Sequence, residues 1–216
     1  MKKDSNKNIA MYSGRAISDE SPVCKKAIEL LKLKSGDVLL DAGCGAGNLL
    51  VLAERKKVKV DLHGIDISET NIRIAKGRLK KTKLKVGNIT KLPYKSKKFN
   101  KIAIIGVLLY LTEEELEKAV EETNRVSSQN AVIVIRNNQP LNYIGNRIKL
   151  ILSMLKGKKI TFTDRYYHPN KIISLFEKKG FKLTRFEITA EKKIIDCNPI
   201  LRKIFGSAWY IFRKGD

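Results

Sequence analysis

Short apolar runs alternate along this chain with stretches in which apolar residues recur every three or four positions. A short run flanked by turn-forming residues predicts a strand buried on both faces, whereas the wider spacing predicts an amphipathic helix. The predicted strands are residues 37–41, 58–65, 84–86, 99–109, 131–136, 181–188 and 208–213. This alternation predicts an α/β fold with a Rossmann-like, doubly wound sheet and right-handed crossovers.

Several helix boundaries carry local signals. Pro22 follows a serine, and proline is favoured at the first helical position. Thr112 followed by Glu115 is the pattern of a capping box, before a helix predicted to run through residue 126. Another helix is predicted over residues 169–180. At 216 residues the chain is long enough for one well-packed domain, and we expect one.

The loop after the first predicted strand combines an acid with alternate glycines. Its sequence is Asp41-Ala42-Gly43-Cys44-Gly45-Ala46-Gly47-Asn48. Glycine allows positive φ and a close approach of backbone to a ligand, and the helix that follows offers free N–H groups. A dinucleotide fingerprint spaces its glycines G-x-G-x-x-G, whereas here the third glycine follows the second after a single residue. The carboxylate of Asp41 would repel phosphate and pair with an ammonium group.

This segment, together with Val38-Leu39-Leu40, resembles the first motif of class I S-adenosylmethionine (SAM) dependent methyltransferases. The chain most resembles the ubiquinone and menaquinone biosynthesis type, over about residues 35–136. The resemblance implies SAM as cofactor, S-adenosylhomocysteine (SAH) as product, and a mostly parallel seven-stranded sheet with an antiparallel last strand. We expect a single domain with four parts: a lead-in (1–34), a SAM-binding core (35–136), a substrate lid region (137–180) and C-terminal strands (181–216).

The resemblance also implies cofactor contacts at the ends of the first two strands. Asp41 would meet the methionyl ammonium group directly or through water. Three glycines would let the backbone approach the cofactor: Gly43, Gly45 and Gly47. Asp66 stands 25 residues after Asp41. It corresponds to the acid that accepts hydrogen bonds from both ribose hydroxyls.

A third group of residues would surround the adenine. Ile67 would lie on its face, and Asn88 and Ile89 occupy the motif in which the family usually has an acid that receives the adenine amino group. The amide oxygen of Asn88 can still accept that hydrogen bond. A second departure is Asn100, where the family usually has an aspartate.

The acceptor side is harder to interpret. His168 is the best general-base candidate because its reference pKa lies near neutrality, although a structural role before Pro169 is the alternative. His63 lies inside a predicted strand, and we do not expect it to be catalytic. Residues 141–159 form a basic amphipathic stretch. It is predicted to be a lid helix over the substrate, or alternatively a segment that docks on an anionic membrane.

Net charge and cysteine usage bound the remaining possibilities. The formal net charge is +22, which would suit RNA or an anionic membrane as partner, but lysine outnumbers arginine 33 to 11 and is scattered. Even so, residues 70–112 hold twelve lysines and arginines and no acid. Cys24, Cys44 and Cys197 show no C-x-x-C pairing, so we expect free thiols and no metal. No apolar run is long enough to span a membrane, and we expect a cytoplasmic protein. The alternative is a protein that is peripheral to the membrane through residues 141–159.

The expected activity is methyl transfer by in-line displacement to a small, largely apolar acceptor. The apolar segment 106–110 stands where amino-group methyltransferases carry an N-P-P-Y type motif. One alternative is an RNA or translation-factor methyltransferase that uses the basic surface. Another is a non-catalytic SAM-fold binding protein, which the departures at Asn88 and Asn100 would permit.

Overall fold

Seven strands form one sheet in the order β3-β2-β1-β4-β5-β7-β6. The computed structural model describes residues 21–138, 165–189 and 207–215, and the strands within them run as follows: β1 Val38–Ala42, β2 Asp61–Asp66, β3 Lys83–Val86, β4 Phe99–Ile105, β5 Ser127–Asn138, β6 Phe181–Thr189 and β7 Ser207–Lys214. The first five strands pair in parallel, and β7 is antiparallel to both of its neighbours. The predicted fold class, with its antiparallel last strand, is confirmed.

Helices cover both faces of this sheet. They are α1 Pro22–Leu31, α2 Asn48–Glu54, α3 Glu69–Arg78, α4 Glu113–Val126 and α5 Pro169–Glu177. The first three pack on one hydrophobic cluster and the last two on the other. Successive residues of a strand point to opposite faces, so Leu39 and Trp209 belong to the first cluster and Leu40 and Tyr210 to the second. The protein is therefore a three-layer α/β/α structure.

Local sequence signals account for most helix starts. The predicted capping box is present: the Thr112 hydroxyl accepts from the Glu115 N–H at 3.2 Å, and the Glu115 carboxylate accepts from the Thr112 N–H at 2.7 Å. Pro22 and Pro169 each open a helix, as predicted.

The predicted strand 99–109 is too long. It ends at Ile105 because Gly106 has φ +70° and turns the chain, and residues 108–110 then form a 3-10 turn. The segment remains apolar because Leu108 and Leu109 are buried without being in the sheet. The misplaced boundary matters, because this turn forms part of the site described below.

Asn100 joins the starts of β1 and β4. Its amide oxygen accepts from the Val38 N–H at 2.8 Å, and its amide nitrogen donates to the Asp37 carboxylate at 2.8 Å. A carboxylate at position 100 would face that of Asp37 and could not donate to it. The asparagine is therefore explained by its packing against Asp37, independently of any cofactor.

Several predictions concern residues outside the described ranges. They are the lid or membrane-docking stretch 141–159 and the Cys197 thiol. Cys24 and Cys44 are free, as expected, and both are buried. None of the described helices combines the length and apolarity needed to cross a bilayer.

Candidate functional site

A cavity of about 560 Å³ opens at the carboxyl ends of β1, β2, β3 and β4. In open α/β sheets, ligands bind in this position, where the connections diverge to the two faces. Most of the residues implicated by the sequence line it, namely Asp41, Gly43, Gly45, Asp66, Ile67, Asn88 and Ile89. The fold thus brings together residues from three separate strand ends.

The glycine loop is held against β2 by hydrogen bonds. The Gly43 and Cys44 N–H groups donate to the Ile65 carbonyl at 2.7 and 2.9 Å, and the Gly45 N–H donates to the Asp66 carboxylate at 2.9 Å. Gly43 and Gly45 both have positive φ, at +88° and +52°. A Cβ on Gly45 would meet no atom within 4 Å, so this part of the loop borders open space.

Replacing Gly43 by alanine should disrupt the loop, because the added Cβ would lie 2.3 Å from Val107 Cγ2 at an unfavourable φ. Gly180→Ala is the matched control, since Gly180 has φ +82° but nothing within 4 Å of the added atom. We expect Gly43→Ala to lower the free energy of unfolding by about 1–3 kcal/mol more than the control does. Thermal unfolding of both variants measures the difference, and equal losses would show that Val107 moves aside freely.

Gly47 has a different role from the other two loop glycines. It is the N-cap of α2 with φ +82°, and it does not line the cavity. A Cβ there would lie 2.6 Å from Leu79 Cδ1, so the residue permits close packing of the loop against the end of α3. A direct contact between Gly47 and a cofactor remains a sequence prediction.

Arg78 fixes the far side of the same loop and was not identified from the sequence. Its guanidinium donates to the Ala46 carbonyl at 2.6 Å and to the Asn48 side-chain oxygen at 2.7 Å. Both acceptors belong to residues that line the cavity. An arginine in the last turn of an amphipathic helix carries no sequence signal for such a contact.

Asp66 is the main polar junction of the site. One carboxylate oxygen accepts from the Gly45 N–H, and the other accepts from the Ser68 N–H at 2.9 Å and the Asn71 amide at 3.2 Å. A carboxylate offers about four acceptor positions, so one position remains beyond these three bonds. Asp66 therefore orders the loop and the start of α3 and can still accept from a ligand.

Asp41 is a buried acid in the cavity wall, with 3% of its surface exposed. Burial, and secondarily the charge of Asp66, raise the pKa of its carboxyl to about 8. A cationic ligand beside it would favour the ionised form and lower that pKa again. The site is therefore suited electrostatically to a positively charged group.

The segments after β2 and β3 add two apolar side chains and an amide group to the cavity wall. Ile67 is 44% exposed and Ile89 is buried, and both line the cavity. The Asn88 side-chain oxygen accepts from the Thr90 N–H at 2.9 Å, which fixes the turn but leaves the oxygen a second lone pair. Two apolar side chains beside an amide acceptor are chemically suited to an aromatic ring that carries an amino group.

The opposite wall comes from the turn after β4. Val107, Leu109 and Leu111 lie in this turn, and the charged lining residues beside it are Glu115 of α4 and Arg136 of β5. The chain after residue 164 supports this turn, because the Tyr167 hydroxyl donates to the Leu111 carbonyl at 2.6 Å and the Arg165 N–H donates to that of Leu109 at 2.6 Å. This half of the cavity is mostly apolar.

Neither histidine lies in the cavity wall. His168 is exposed at the N-cap of α5, and its Nδ1 accepts from the Asn170 N–H at 3.3 Å. In this structure the ring is a helix cap, so the geometry gives the general-base prediction no support. His63 is buried, packs edge-on against Tyr94 and Phe99, and bonds to Asp61 at 3.2 Å.

Comparison with known proteins identifies the family of the chain. The sequence profile of a methyltransferase domain family matches residues 33–186. An uncharacterized protein of Methanocaldococcus jannaschii is 28% identical over 180 residues, covering 74% of this chain and 68% of its own length. A demethylmenaquinone methyltransferase of Thermotoga maritima is 22% identical over 177 residues, covering 74% of this chain and 76% of its own length.

Other relatives and a solved structure extend the comparison. Their names refer to unlike acceptors: a cobalt-precorrin, a tRNA uridine and a sterol. The crystal structure of a SAM-dependent methyltransferase from Archaeoglobus fulgidus has the same fold, with a TM-score of 0.69 at 19% identity over 91% of this chain and 95% of that one. The match to the family profile, over more than half of the sequence, shows that this chain belongs to the methyltransferase domain family, within the class I SAM-dependent methyltransferases.

Proposed function

We propose that this methyltransferase transfers the methyl group of SAM to a small, largely apolar acceptor bound in the same cavity. The observation that carries the proposal is the division of the cavity into two unlike halves. Acids and positive-φ glycines lie at the ends of β1 and β2, while Val107, Leu109 and Leu111 form the opposite wall. A volume of about 560 Å³ lies within the range of small-molecule sites.

The residues present fit SAM as a ligand. Asp41 is an acid whose burial is unfavourable without a cation, and the methionyl ammonium group supplies one. Asp66 keeps an acceptor position for a ribose hydroxyl beyond its bonds to the protein. Ile67 and Ile89 would pack on the adenine, and the Asn88 oxygen would accept from the adenine amino group.

Bound SAM supplies both the methyl group and its leaving group, a neutral thioether formed from the sulfonium. The protein's contribution is then positioning and exclusion of water. Asp41 and Asp66 would fix the two ends of the donor, and the glycine loop would set its depth. The apolar wall would hold the acceptor in line and keep water from competing with it.

Incubation of cell extract with SAM labelled on its methyl group tests the proposal. The extract is afterwards separated into lipid, RNA, protein and small-molecule fractions. We expect label in the lipid or small-molecule fraction with the wild-type protein and much less with Asp66→Ala, whose affinity for SAM should be at least about tenfold lower. Label confined to RNA or protein would overturn the assignment of the acceptor.

A basic surface favours RNA as a second candidate acceptor. Nine exposed lysine or arginine side chains lie between residues 70 and 100, from α3 through edge strand β3 to the loop before β4. Phosphate contacts make affinity fall steeply with salt. Filter binding of tRNA at several salt concentrations would show an affinity that falls steeply as salt rises. The double variant Lys81→Glu/Lys85→Glu should reduce this salt dependence. The control double variant Lys178→Glu/Lys182→Glu, whose positions are remote from this surface in the sequence, should leave it unchanged.

A further inference from the structure

The charges that face the cavity are unevenly distributed. Asp41, Asp66 and Glu115 line it, and among the described lining residues Arg136 is the only lysine or arginine. Asp41 and Asp66 are accounted for by the proposed ammonium and ribose contacts, and Glu115 caps α4 through one of its oxygens. Arg136 has no part in the function proposed above.

The backbone around Arg136 directs its side chain over the end of β4. Arg136 lies near the end of β5, opposite Ile105 in the parallel ladder, and its carbonyl accepts from the Gly106 N–H at 3.0 Å. Position 106 has no side chain, and a Cβ built there would lie 3.9 Å from Arg136 Nη1. The half-buried guanidinium of Arg136 therefore lies over Gly106, beside the apolar residues that follow β4.

Arg136 and Asp41 both act electrostatically on one lining residue, Cys24. Burial raises the pKa of the Cys24 thiol to about 11, the charge of Asp41 adds to the rise, and the charge of Arg136 opposes it. The cavity thus holds a cation, Arg136, and an acid that a cationic ligand would ionise, Asp41, both within electrostatic range of the same thiol. A ligand that places a carboxylate near its own ammonium group, or an acceptor with an acidic group, matches this pair.

We infer that Arg136 binds an oxyanion inside the cavity, a carboxylate or a phosphate. The planar guanidinium can donate two parallel hydrogen bonds to such a group, which lysine cannot do. Two sources fit the chemistry: the carboxylate at the amino-acid end of SAM, and an acidic group on the otherwise apolar acceptor. The inference rests on the proposed function, because it assumes that the cavity holds both reactants.

Calorimetric titration of SAH and of 5′-methylthioadenosine tests whether the cofactor is the source of the oxyanion that Arg136 binds. The second compound keeps the adenosyl part and lacks the amino acid, so it cannot use Arg136. If the cofactor carboxylate is the ligand, Arg136→Gln weakens SAH binding about tenfold or more and leaves methylthioadenosine unchanged. Arg136→Lys, which keeps the charge, should give a smaller loss. Arg213→Gln, on exposed β7 surface, is the matched control and should change neither affinity.

Titration of benzoate and phenyl phosphate into SAH-saturated protein tests the acceptor as the source. If an acidic acceptor is the ligand, wild type binds one of these probes, Arg136→Gln loses that binding, and SAH affinity is unchanged. Unchanged SAH affinity together with no probe binding that depends on Arg136 would overturn the inference. If the wild-type protein binds neither SAH nor methylthioadenosine, the proposed function is overturned instead. Binding of methylthioadenosine by each variant shows that it has folded.

Discussion

Asp66→Ala is expected to weaken SAM binding at least about tenfold, as measured by calorimetry. The Asp66 carboxylate accepts from the Gly45 and Ser68 N–H groups and from the Asn71 amide, so it orders the loop and the helix start. In the proposed complex it also accepts from the ribose. Alanine removes all of these bonds and leaves two backbone donors without their acceptor, which should also lower the unfolding temperature.

Asp61→Ala provides the matched control at the other end of the same strand. The Asp61 carboxylate bonds to Lys83 at 2.8 Å and to His63 at 3.2 Å, away from the cavity. We expect this variant to bind SAM like wild type. Retention of full affinity by Asp66→Ala would remove the ribose assignment, whereas equal losses in both variants would indicate general damage to β2.

Asp41→Asn is expected to stabilise the protein without ligand while weakening its binding of SAM. Asparagine has nearly the same shape but cannot ionise, so the variant avoids the cost of burying a charged carboxylate at this position. We expect the free energy of unfolding to rise by about 1–2 kcal/mol near pH 8, less than the full shift would give because the buried amide also loses water. Thermal unfolding over a pH series measures this change.

The pH dependence has a defined sign. The folded pKa of Asp41 is about 8 against an ordinary 3.8, so between these values the folded state holds a proton that the unfolded state releases. The contribution of this group to stability is therefore present below about pH 4 and is lost as pH rises through 8. Asp41→Asn should flatten this decline, and an unaltered slope would contradict the raised pKa.

Proton release gives a second measurement on Asp41. With a pKa of about 8, Asp41 is mostly protonated at about pH 7 before a ligand binds, and pairing with an ammonium group requires the carboxylate. Titrations in two buffers of different ionisation enthalpy should show release of about one proton by wild type and none by Asp41→Asn. Asp37→Asn is the contrasting control: the Asp37 carboxylate accepts from the Lys34 N–H and the Asn100 amide, so its loss should destabilise the fold without changing proton release.

The fold was largely predictable because its signals are local. The capping box at Thr112 and the apolar strands can be recognised from neighbouring residues alone. The antiparallel last strand followed from the family resemblance. The end of β4 was misplaced because burial of Leu108 and Leu109 in a turn looks, in sequence, like burial in a strand. The spacing of apolar residues indicates burial in a strand and in a turn alike. Only the positive φ of Gly106 shows that the chain leaves the strand there.

The candidate site was predictable where a motif names a residue and not where contacts join distant segments. Asp41 and Asp66 stand at strand ends that the chain order reveals. Arg78 reaches back 32 positions to Ala46, and no spacing rule encodes that contact. Asn100 looked like a weakened cofactor motif because its partner, Asp37, lies 63 positions away. Its role became clear only from the packing.

The hydrogen bonds around the glycine loop have a kinetic consequence. Gly43, Cys44 and Gly45 donate to β2, and Arg78 binds the Ala46 carbonyl, so the described loop is already ordered without a ligand. A preformed loop loses little entropy when the donor arrives. Association should then be about equally fast for SAM and SAH, and any preference between them should lie in their dissociation rates.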